Sequence, residues 1–570
     1  MQLQTAGALG GVTVVCADKT GALTGELMTV TDVRTATRAY GVTGEAYEPK
    51  GSFVLGGRTV RAADDPDLLF ALRTAALANR SEVAWGERGW QPVGDRMEAA
   101  LVVAARKAGI ERADILDRAP EIGDVPFTDA RRLMATFHRQ PVGESVLACV
   151  KGAPDRVLPL CRRVRVDGVE GPLDEAFRAS ILGANHLMAI RGLRVIAVAS
   201  GPVVAADELA LAALTFDGLI GIADPPVPGA PEAVEAFRRA GVRTVMMTGD
   251  QQEAAVAAAA ELGIEYSTLK VLDGPEVDAL ADEALRDRLA DVNVFSRVGP
   301  GGKRRIVAGL QARGEVVAVL GGGAADAAAL EAAGVGAVTQ AGKGRPLDAL
   351  GDAIQEGRTV LDNVRKFVFY VLSCGLAGTM LLAGAIAAGW PVRLLVVQAL
   401  WLSLVTAVLP ALALAAEPPQ PDVMQRPPRH LRAALASPAF LRAVFFYAAL
   451  LGGATLLVVG WSRYAGVPAG RAITMNFMAL ALAQVFHLGN ARDTRPVIRL
   501  KRVLANRFAL GAVGLVIPLQ VLAVIAPPLR QLLHLEPLGR TEWLVVIVAG
   551  LIPAVAGQAV KALRSGRNRR

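Results

Sequence analysis

The sequence predicts an α/β domain built on a parallel sheet, a second domain inserted into it, and six membrane-spanning helices after it. Up to about residue 358, short β-branched runs alternate with Ala-rich helical stretches. Beyond that point, long charge-free stretches dominate. With 52% hydrophobic residues, 20% charged residues and a mean hydropathy of +0.38 over 570 residues, the composition excludes both a wholly soluble and a largely disordered protein.

Four buried runs have the pattern of parallel strands: residues 12–17, 242–247, 292–295 and 316–320. Each ends where polar or Gly residues begin, and the ligands of open α/β sheets collect at those carboxyl ends. More than two hundred residues separate the first run from the second. That is too long for one crossover connection, so we expect the insertion to fold as its own domain.

Six charge-free stretches approach the length of a membrane-crossing helix, roughly 17 to 25 residues. They cover residues 367–388, 394–416, 443–461, 472–488, 508–525 and 543–560. The fourth carries Asn476, Gln484 and His487, so its alternative is a long helix buried in protein.

The distribution of Lys and Arg predicts the orientation of these spans. Residues 417–437 and 489–507, in the connections after the second and fourth stretches, and residues 561–570 of the C-terminal tail together hold 14 Lys and Arg residues, whereas the alternating connections hold 5. The positive-inside rule therefore predicts a multi-pass cell-membrane protein, surrounded by lipid, with its first part and its C-terminus in the cytosol. We interpret the net charge of +8 as this topology signal and expect no nucleic-acid partner.

The first strand leads into a motif suited to phosphate chemistry. Residues 18–24 read DKTGALT, which places Asp18 at the tip of the strand, followed by Thr20 and Gly21. Backbone N–H groups at such a tip can hold phosphate oxygens, and a carboxylate can attack phosphorus. From these residues alone, an ordinary strand ending in an Asp turn is the better interpretation.

The surrounding residues favour the chemical interpretation. Residues 9–30, LGGVTVVCADKTGALTGELMTV, closely resemble the phosphorylation signature of the P-type ATPases, whose core reads DKTGTLT. Further matches follow in that family's order: residues 94–98 (GDRME), Pro126-Phe127, Arg132, residues 151–153 (KGA), Arg194, residues 224–226 (DPP), residues 248–250 (TGD), Lys303 and residues 356–363. The chain therefore resembles the C-terminal portion of the ten-helix cation pumps of this family.

The resemblance implies a domain plan. A haloacid-dehalogenase-like (Rossmann-like) α/β phosphorylation domain would occupy residues 1–31 and 214–350. An inserted α+β nucleotide-binding domain would occupy residues 32–213, and an all-α transmembrane domain of six helices residues 351–570. ATP and Mg²⁺ are the expected cofactors.

The resemblance also implies residue roles. Asp18 would attack the γ-phosphate of ATP and form an aspartyl phosphate, while Lys303 and Thr248 would neutralise or donate to the phosphoryl oxygens. The full expected set is Asp18, Lys303, Thr248 and Asp250 for catalysis, Glu98, Phe127, Arg132, Lys151, Gly152, Arg194 and Gly249 for the nucleotide, and Asp18, Thr20 and Asp326 for the metal. For Phe127 the alternative interpretation is an ordinary core aromatic, but the flanking Pro126 and the basic pair Arg131-Arg132 favour stacking on adenine.

One loop departs from the family pattern. Residues 321–326 read GGGAAD where the family has GDGVND, so Gly322 replaces a Mg²⁺-binding carboxylate and Ala325 replaces an Asn. Losing one carboxylate lowers both metal affinity and rate. The remaining residues leave two outcomes open: a weakened site on Asp18, Asp326 and the Thr20 carbonyl, or a silent one.

The membrane stretches depart as well. The positions of the family's cation ligands hold Gly375, Gly378, Ser403 and Ala407, with Thr406 retained, and the six stretches contain no Asp or Glu. A dehydrated cation in lipid needs carboxylate or carbonyl oxygens. We therefore do not expect these helices to form a calcium-like or sodium-like site by themselves.

The leading hypothesis is a cation-transporting P-type ATPase, with catalysis impaired at Gly322. It would couple ATP hydrolysis, through an aspartyl phosphate, to transport of a cation. The family's actuator domain and first four helices are expected on a missing N-terminal half. The alternative is a catalytically inactive membrane protein of the same fold that senses nucleotide or regulates a partner.

Overall fold

The computed structural model describes residues 3–567 except residues 26, 45, 87–88, 129–130, 141–145, 265–269, 323, 339–344, 391–393, 429–430, 494 and 498–499. The chain forms two compact units. The larger comprises Val14–Arg238 and Arg243–Leu350, and the smaller comprises Met1–Thr13, Arg239–Val242 and Gly351–Arg570.

The strands of the described residues all lie in the larger unit. In chain order they are β1 (Val14–Asp18), β2 (Thr29–Arg34), β3 (Ala39–Val42), β4 (Phe53–Leu55), β5 (Arg58–Val60), β6 (Glu82–Gly86), β7 (Gly89–Val93), β8 (Glu121–Val125), β9 (Leu133–Arg139), β10 (Val146–Gly152), β11 (Cys161–Val166), β12 (Val169–Pro172), β13 (Arg194–Val203), β14 (Leu214–Ala223), β15 (Arg243–Met247), β16 (Val271–Asp273), β17 (Val294–Ser296), β18 (Val317–Gly321) and β19 (Val335–Val338).

The α-helices of the described residues occur in both units. In chain order they are α1 (Leu3–Gly10), α2 (Pro66–Leu77), α3 (Arg96–Lys107), α4 (Arg112–Arg118), α5 (Pro154–Val157), α6 (Glu175–Ile190), α7 (Ala230–Arg239), α8 (Gln252–Glu261), α9 (Gly274–Ala279), α10 (Asp282–Arg288), α11 (Pro300–Ala312), α12 (Ala327–Ala332), α13 (Pro346–Ala387), α14 (Val396–Trp401), α15 (Val408–Ala415), α16 (Leu431–Leu435), α17 (Pro438–Tyr464), α18 (Ala469–Arg492), α19 (Leu500–Leu504), α20 (Arg507–Ile525), α21 (Pro527–Leu532) and α22 (Arg540–Arg567).

Within the described residues, six strands form a parallel sheet in the order β16-β17-β15-β1-β18-β19. Its four central strands are the four buried runs expected from the sequence, with bounds within two residues of the expected ones. The prediction of a parallel sheet is confirmed. Because the strands run the same way, the residues that follow β1, β15 and β18 lie at one edge.

A second sheet contains eleven strands among the described residues. Its main path is β5-β4-β3-β2-β14-β13-β10-β9-β8, and β11 joins it beside β14. Strands β2 and β14, at the two ends of the insertion, pair antiparallel. The sequence places the C-terminal boundary of the insertion at residue 213, just before β14. Because β14 belongs to the second sheet, that sheet continues beyond the expected boundary as far as Ala223. Helices α2 and α3 contribute to one hydrophobic core on this sheet and α6 to another.

In the part of the chain that the structure describes, six helices are long and apolar enough to cross a membrane: α13, the run from α14 to α15, α17, α18, α20 and α22. This confirms the six expected spans. Helix α13 begins at Pro346, well before the apolar stretch from residue 367, because a charged helical segment leads into it. Between α14 and α15 the helix is π-helical over Leu402–Ala407. Pro410 has no N–H to donate to the carbonyl of residue 406, which favours this widening.

The polar fourth span, α18, is the most deeply packed of the six. Tyr370 donates from its hydroxyl to the Gln484 carbonyl at 2.9 Å, and Ser373 Oγ lies 3.0 Å from His487 Nε2. The polar residues of α18 thus contact protein rather than lipid, as polar groups in membrane helices usually do.

Candidate active site

Three charged side chains meet at the carboxyl edge of the parallel sheet. Asp18 ends β1, Lys303 lies near the start of α11, and Asp326 follows the loop after β18. Lys303 Nζ donates to Asp18 Oδ2 at 2.8 Å and to Asp326 Oδ1 at 2.7 Å. Lys303 and Asp326 are buried. One ammonium group is therefore shared by two carboxylates largely away from water.

The surroundings set the charge state of this triad. Burial raises the pKa of Asp18 to about 6, against the attraction of Lys303. Burial opposes the charge of Lys303 as well, but its two carboxylate partners outweigh that effect and raise its pKa. At pH 7 the Asp18 carboxylate is therefore mainly ionised and Lys303 is protonated, which suits a nucleophile beside a fixed positive charge.

A second ion-pair cluster lies at the same edge, around Asp250. Lys19 Nζ lies 2.6 Å from Asp250 Oδ2, and the guanidinium of Arg194 donates to the other carboxylate oxygen. Burial opposes the charge of Asp250, but Arg194 and Lys19 together lower its pKa to about 2. The resemblance gave Arg194 a phosphate-contacting role, and the structure places it on Asp250. Because Arg194 belongs to β13, this pair joins the second sheet to the parallel sheet.

The pH dependence of stability should report on this cluster. The pKa of Asp250 in the fold, about 2, lies below its ordinary value of 3.8. Its ion pairs therefore stabilise the fold above pH 3.8, and this stabilisation, on the order of 2 kcal/mol, is lost as the pH falls toward 2. We expect hydrogen exchange of the β15 amides, corrected for intrinsic rates, to show this loss in the unaltered chain and less of it in Asp250→Asn. Asp114→Asn, at an exposed position, is the control, and an equal acid response in both variants would contradict the pairing.

Three more expected residues lie at this edge. Thr248 Oγ1 accepts a hydrogen bond from the Asp250 N–H at 3.0 Å, which leaves the hydroxyl proton of Thr248 for another acceptor. A Cβ added at Gly249 would meet no atom within 4 Å, so the backbone there is open. Thr20 lies in the turn after β1, where its backbone bridges to Thr24.

Glu98 and Lys151 form a separate buried pair on the insertion. Lys151 Nζ of β10 lies 2.9 Å from Glu98 Oε1 of α3, and the Arg80 N–H donates to Glu98 Oε2 at 2.8 Å. Burial lowers the pKa of Lys151 to about 8, despite the attraction of Glu98. Lys151 therefore loses its proton more readily than a surface Lys, and its ammonium is paired with the Glu98 carboxylate.

Phe127, Arg132 and Gly152 lie on neighbouring segments of the insertion. The Phe127 side chain, in the loop after β8, is 56% exposed, so it is not a core aromatic. The Arg132 carbonyl accepts from the Ala153 N–H at 2.9 Å. A Cβ at Gly152 would lie 2.6 Å from that carbonyl oxygen, so the position needs Gly. An exposed ring beside basic side chains can stack on a nucleobase.

Sequence reasoning missed three residues of the site: Lys19, Thr24 and Asp224. Thr24 Oγ1 donates to Asp224 Oδ2 at 2.7 Å, and burial raises the pKa of Asp224. The signal was present, because Lys19 and Thr24 belong to the DKTGALT motif and Asp224 to the DPP motif. Spacing alone could not pair them, since Thr24 and Asp224 are 200 positions apart and Lys19 and Asp250 are 231 positions apart.

The loop after β18 determines how well Mg²⁺ fits this edge. Gly322 donates its backbone N–H to Asp326 Oδ2 at 3.1 Å, while Lys303 holds Asp326 Oδ1. Both oxygens of Asp326 thus already accept from donors. No group of three or more His, Cys, Asp or Glu placed to hold a metal occurs among the described residues. Mg²⁺ coordination by Asp18, Thr20 and Asp326 thus stays a prediction, in which the metal would compete with Lys303 and the Gly322 N–H for the oxygens of Asp326.

One of the membrane positions compared with cation ligands, Thr406, is hydrogen-bonded to an uncharged side chain. Gln520 Nε2 of α20 donates to Thr406 Oγ1 at 2.6 Å, and Trp401 Nε1 donates to Gln520 Oε1 at 3.2 Å. A Cβ added at Gly375 or Gly378 would meet no atom within 4 Å. The π-helical segment therefore carries a neutral hydrogen-bonded group.

Two family models match the chain. The model described as "P-type ATPase, cytoplasmic domain N" matches residues 68–229. The model described as "Cation transporting ATPase, C-terminus" matches residues 391–563. The first match lies in the unit with the two sheets, and the second covers five of the six spans of the described residues.

Curated relatives match along nearly the whole chain. The "Calcium-transporting ATPase" of Bacillus subtilis (strain 168) is 33% identical over 96% of this chain and 63% of the relative. The "Probable cation-transporting ATPase F" of Mycobacterium tuberculosis (strain ATCC 25618 / H37Rv) is 32% identical over 96% and 64%. The "Calcium-transporting ATPase type 2C member 1" of Homo sapiens is 29% identical over 98% and 61%. The chain thus spans a little over 60% of the length of these relatives, and it belongs to the P-type ATPase family of cation-transporting proteins.

Proposed function

We propose that this chain is the phosphoryl-transfer and membrane portion of a cation-transporting ATPase, weakened at its metal loop. The observation that carries the proposal is the Lys303 ammonium shared between Asp18 and Asp326, at 2.8 and 2.7 Å, at the carboxyl edge of a parallel sheet. A carboxylate presented beside a fixed cation at such an edge is suited to attack on phosphorus.

The chemistry assigned to this edge is one displacement. An Asp18 oxygen attacks the γ-phosphorus of ATP, an O–P bond forms, the bond from phosphorus to the β–γ bridging oxygen breaks, and ADP leaves. The Lys303 ammonium offsets the charge on the phosphoryl oxygens, and the Thr248 hydroxyl donates to one of them. Phe127 offers its exposed face to the adenine, and Lys151 supplies the positive charge of the nucleotide pocket.

The domain plan and topology stay part of the proposal. The phosphorylation domain takes residues 1–31 and 214–350, the nucleotide-binding domain residues 32–213, and the membrane domain residues 351–570. The excess of Lys and Arg in alternate connections supports a cytosolic position for the first part and the C-terminus. Because the chain matches about 63% of its relatives, cation transport is proposed for the whole protein that contains these residues.

Labelling with γ-labelled ATP tests the proposal. We expect the purified full chain, incubated with labelled ATP and Mg²⁺, to take up a small amount of acid-stable label that Asp18→Asn abolishes. Asp64→Asn, at an exposed carboxylate, should leave the label unchanged. ATP binding without label would contradict the ATPase proposal and support the second candidate, a nucleotide-sensing membrane protein. Gly322 favours that candidate, because it lacks the metal-binding carboxylate that is expected at this position.

A further inference from the structure

A cavity lies among the membrane helices, and none of the candidate active-site residues lines it. Its volume is about 570 Å³, within the range of roughly 300 to 1,000 Å³ usual for ligand sites. The lining comes from α13 around the start of its apolar part, the start of α17, the ends of α18 and α22, and the connections after α15 and α18. These helix ends lie on one side of the bundle, because consecutive spans run in opposite directions. The cavity is therefore at the level where spans leave the hydrocarbon region.

The walls of this cavity have two chemical characters. Five Lys or Arg side chains and two Asp side chains line it among the described residues, together with four aromatic rings. The aromatic part includes Phe440 and Phe446, and Phe446 is 44% exposed on the outer surface of α17. The guanidinium of Arg365 lies 5.6 Å from the centre of the Phe440 ring. An occupant must therefore combine anionic and apolar groups.

The balance of charge favours an anion. Asp362 lies 3.8 Å from Arg426, which also pairs with Asp422 at 2.6 Å, and Asp493 lies 3.6 Å from Arg502. The five lining cations thus outnumber the two lining carboxylates. Lys561 Nζ donates to the backbone carbonyls of Asn490 and Asp493, which satisfy its hydrogen bonds without cancelling its charge. The positive potential of the lining thus exceeds what its own carboxylates neutralise.

We propose that this cavity binds one anionic phospholipid, with its phosphate between Arg365 and Arg442 and an acyl chain leaving past Phe446. Arg442 is exposed at the first turn of α17, and its Nε donates to the Pro438 carbonyl at 3.2 Å, which orients it along the helix start. Basic pockets between membrane helices bind anionic headgroups in this way. The open apolar side at Phe446 selects a lipid over a soluble phosphate, which would leave the aromatic wall in contact with water.

The test measures lipid retention by the purified full chain in detergent, using native mass spectrometry. We expect one phosphatidylglycerol per chain, held at least about tenfold more tightly than phosphatidylcholine. The double variant Arg365→Gln/Arg442→Gln should lose about tenfold in phosphatidylglycerol affinity. Arg507→Gln, an exposed Arg at the start of α20 outside the cavity, is the matched control and should change nothing.

Other results would overturn the proposal. Equal retention of the two lipids would contradict it, and so would an unchanged phosphatidylglycerol affinity in the double variant. Displacement of phosphatidylglycerol by an equal concentration of glycerol 3-phosphate would instead identify a soluble anion as the occupant. If the double variant fails to fold, the single variant Arg442→Gln, at an exposed position, should still weaken retention. A photoreactive phosphatidylglycerol should label peptides of α13 and α17, and labelling confined to other spans would contradict the site.

Discussion

Lys303→Met is expected to destabilise the parallel sheet by about 3 to 5 kcal/mol, the usual cost of leaving buried charges without their partner. In this variant Asp18 and Asp326 lose the ammonium that both contact. Two neighbouring carboxylates without a cation repel each other, so at least one takes up a proton and its pKa rises. The pKa of Asp18 in the fold, already raised by burial, then lies further above its value in the unfolded chain. Ionising Asp18 at high pH therefore costs the folded variant more, so we expect the loss of stability to be larger at pH 8 than at pH 5.

Hydrogen exchange of the β1 and β18 amides in the full chain, at several pH values, measures this effect. Lys270→Met is the matched control, because Lys270 also pairs with a carboxylate, that of Asp291 at 2.7 Å, but on the exposed surface. Surface pairs contribute little, so the control should exchange like the unaltered chain. If Lys303→Met matched the control across the pH range, the shared ammonium would have no role in the fold.

Gly322→Asp is expected to increase Mg²⁺-dependent labelling of Asp18 on the order of tenfold. The substitution adds a hard anionic oxygen next to Asp326, and Mg²⁺ binds through carboxylates and waters in near-octahedral geometry. Gly322 is exposed, so a side chain there has access to solvent and to an incoming nucleotide. A carboxylate on the metal also orients the phosphoryl group, which raises the rate as well as the affinity.

Labelling of Asp18, measured over a range of Mg²⁺ concentrations, distinguishes the effect of a charge at position 322 from the effect of side-chain shape. Gly322→Asn has nearly the same size as the Asp variant but no charge, and should remain close to the unaltered chain. Equal gains from Asp and Asn would show that loop conformation, and not metal ligation, limits the reaction. No gain from either variant would locate the weakness elsewhere on the sheet edge.

The fold was predictable where hydrophobic pattern alone determines it. The four central strands of the parallel sheet are buried on both faces, so they stand out as continuous β-branched runs, and the six spans stand out by length. The second sheet was expected only as part of an inserted domain, because its short antiparallel strands depend on partners far along the chain. The charged half of α13, from Pro346, was missed because no apolar stretch marks it.

The site was predictable residue by residue but not as a set of contacts. The meeting of Asp18 and Lys303 follows from two motifs whose order along the chain was known. The partner of Arg194 did not follow, since Asp250 lies in the loop after a strand of the other sheet, 56 positions away. The occupancy of both Asp326 oxygens also needed coordinates, because the backbone N–H of Gly322 makes one of those bonds whatever its side chain.

The pair between Arg194 and Asp250 has a consequence for substrate entry. A triphosphate that reaches this edge brings its own anionic oxygens, which compete with Asp250 for the guanidinium. When Arg194 changes partner, Lys19 still neutralises Asp250, so no buried charge is left uncompensated. Under the proposed function, this exchange of one anion for another lets Arg194 leave Asp250 when nucleotide arrives, at a small electrostatic cost.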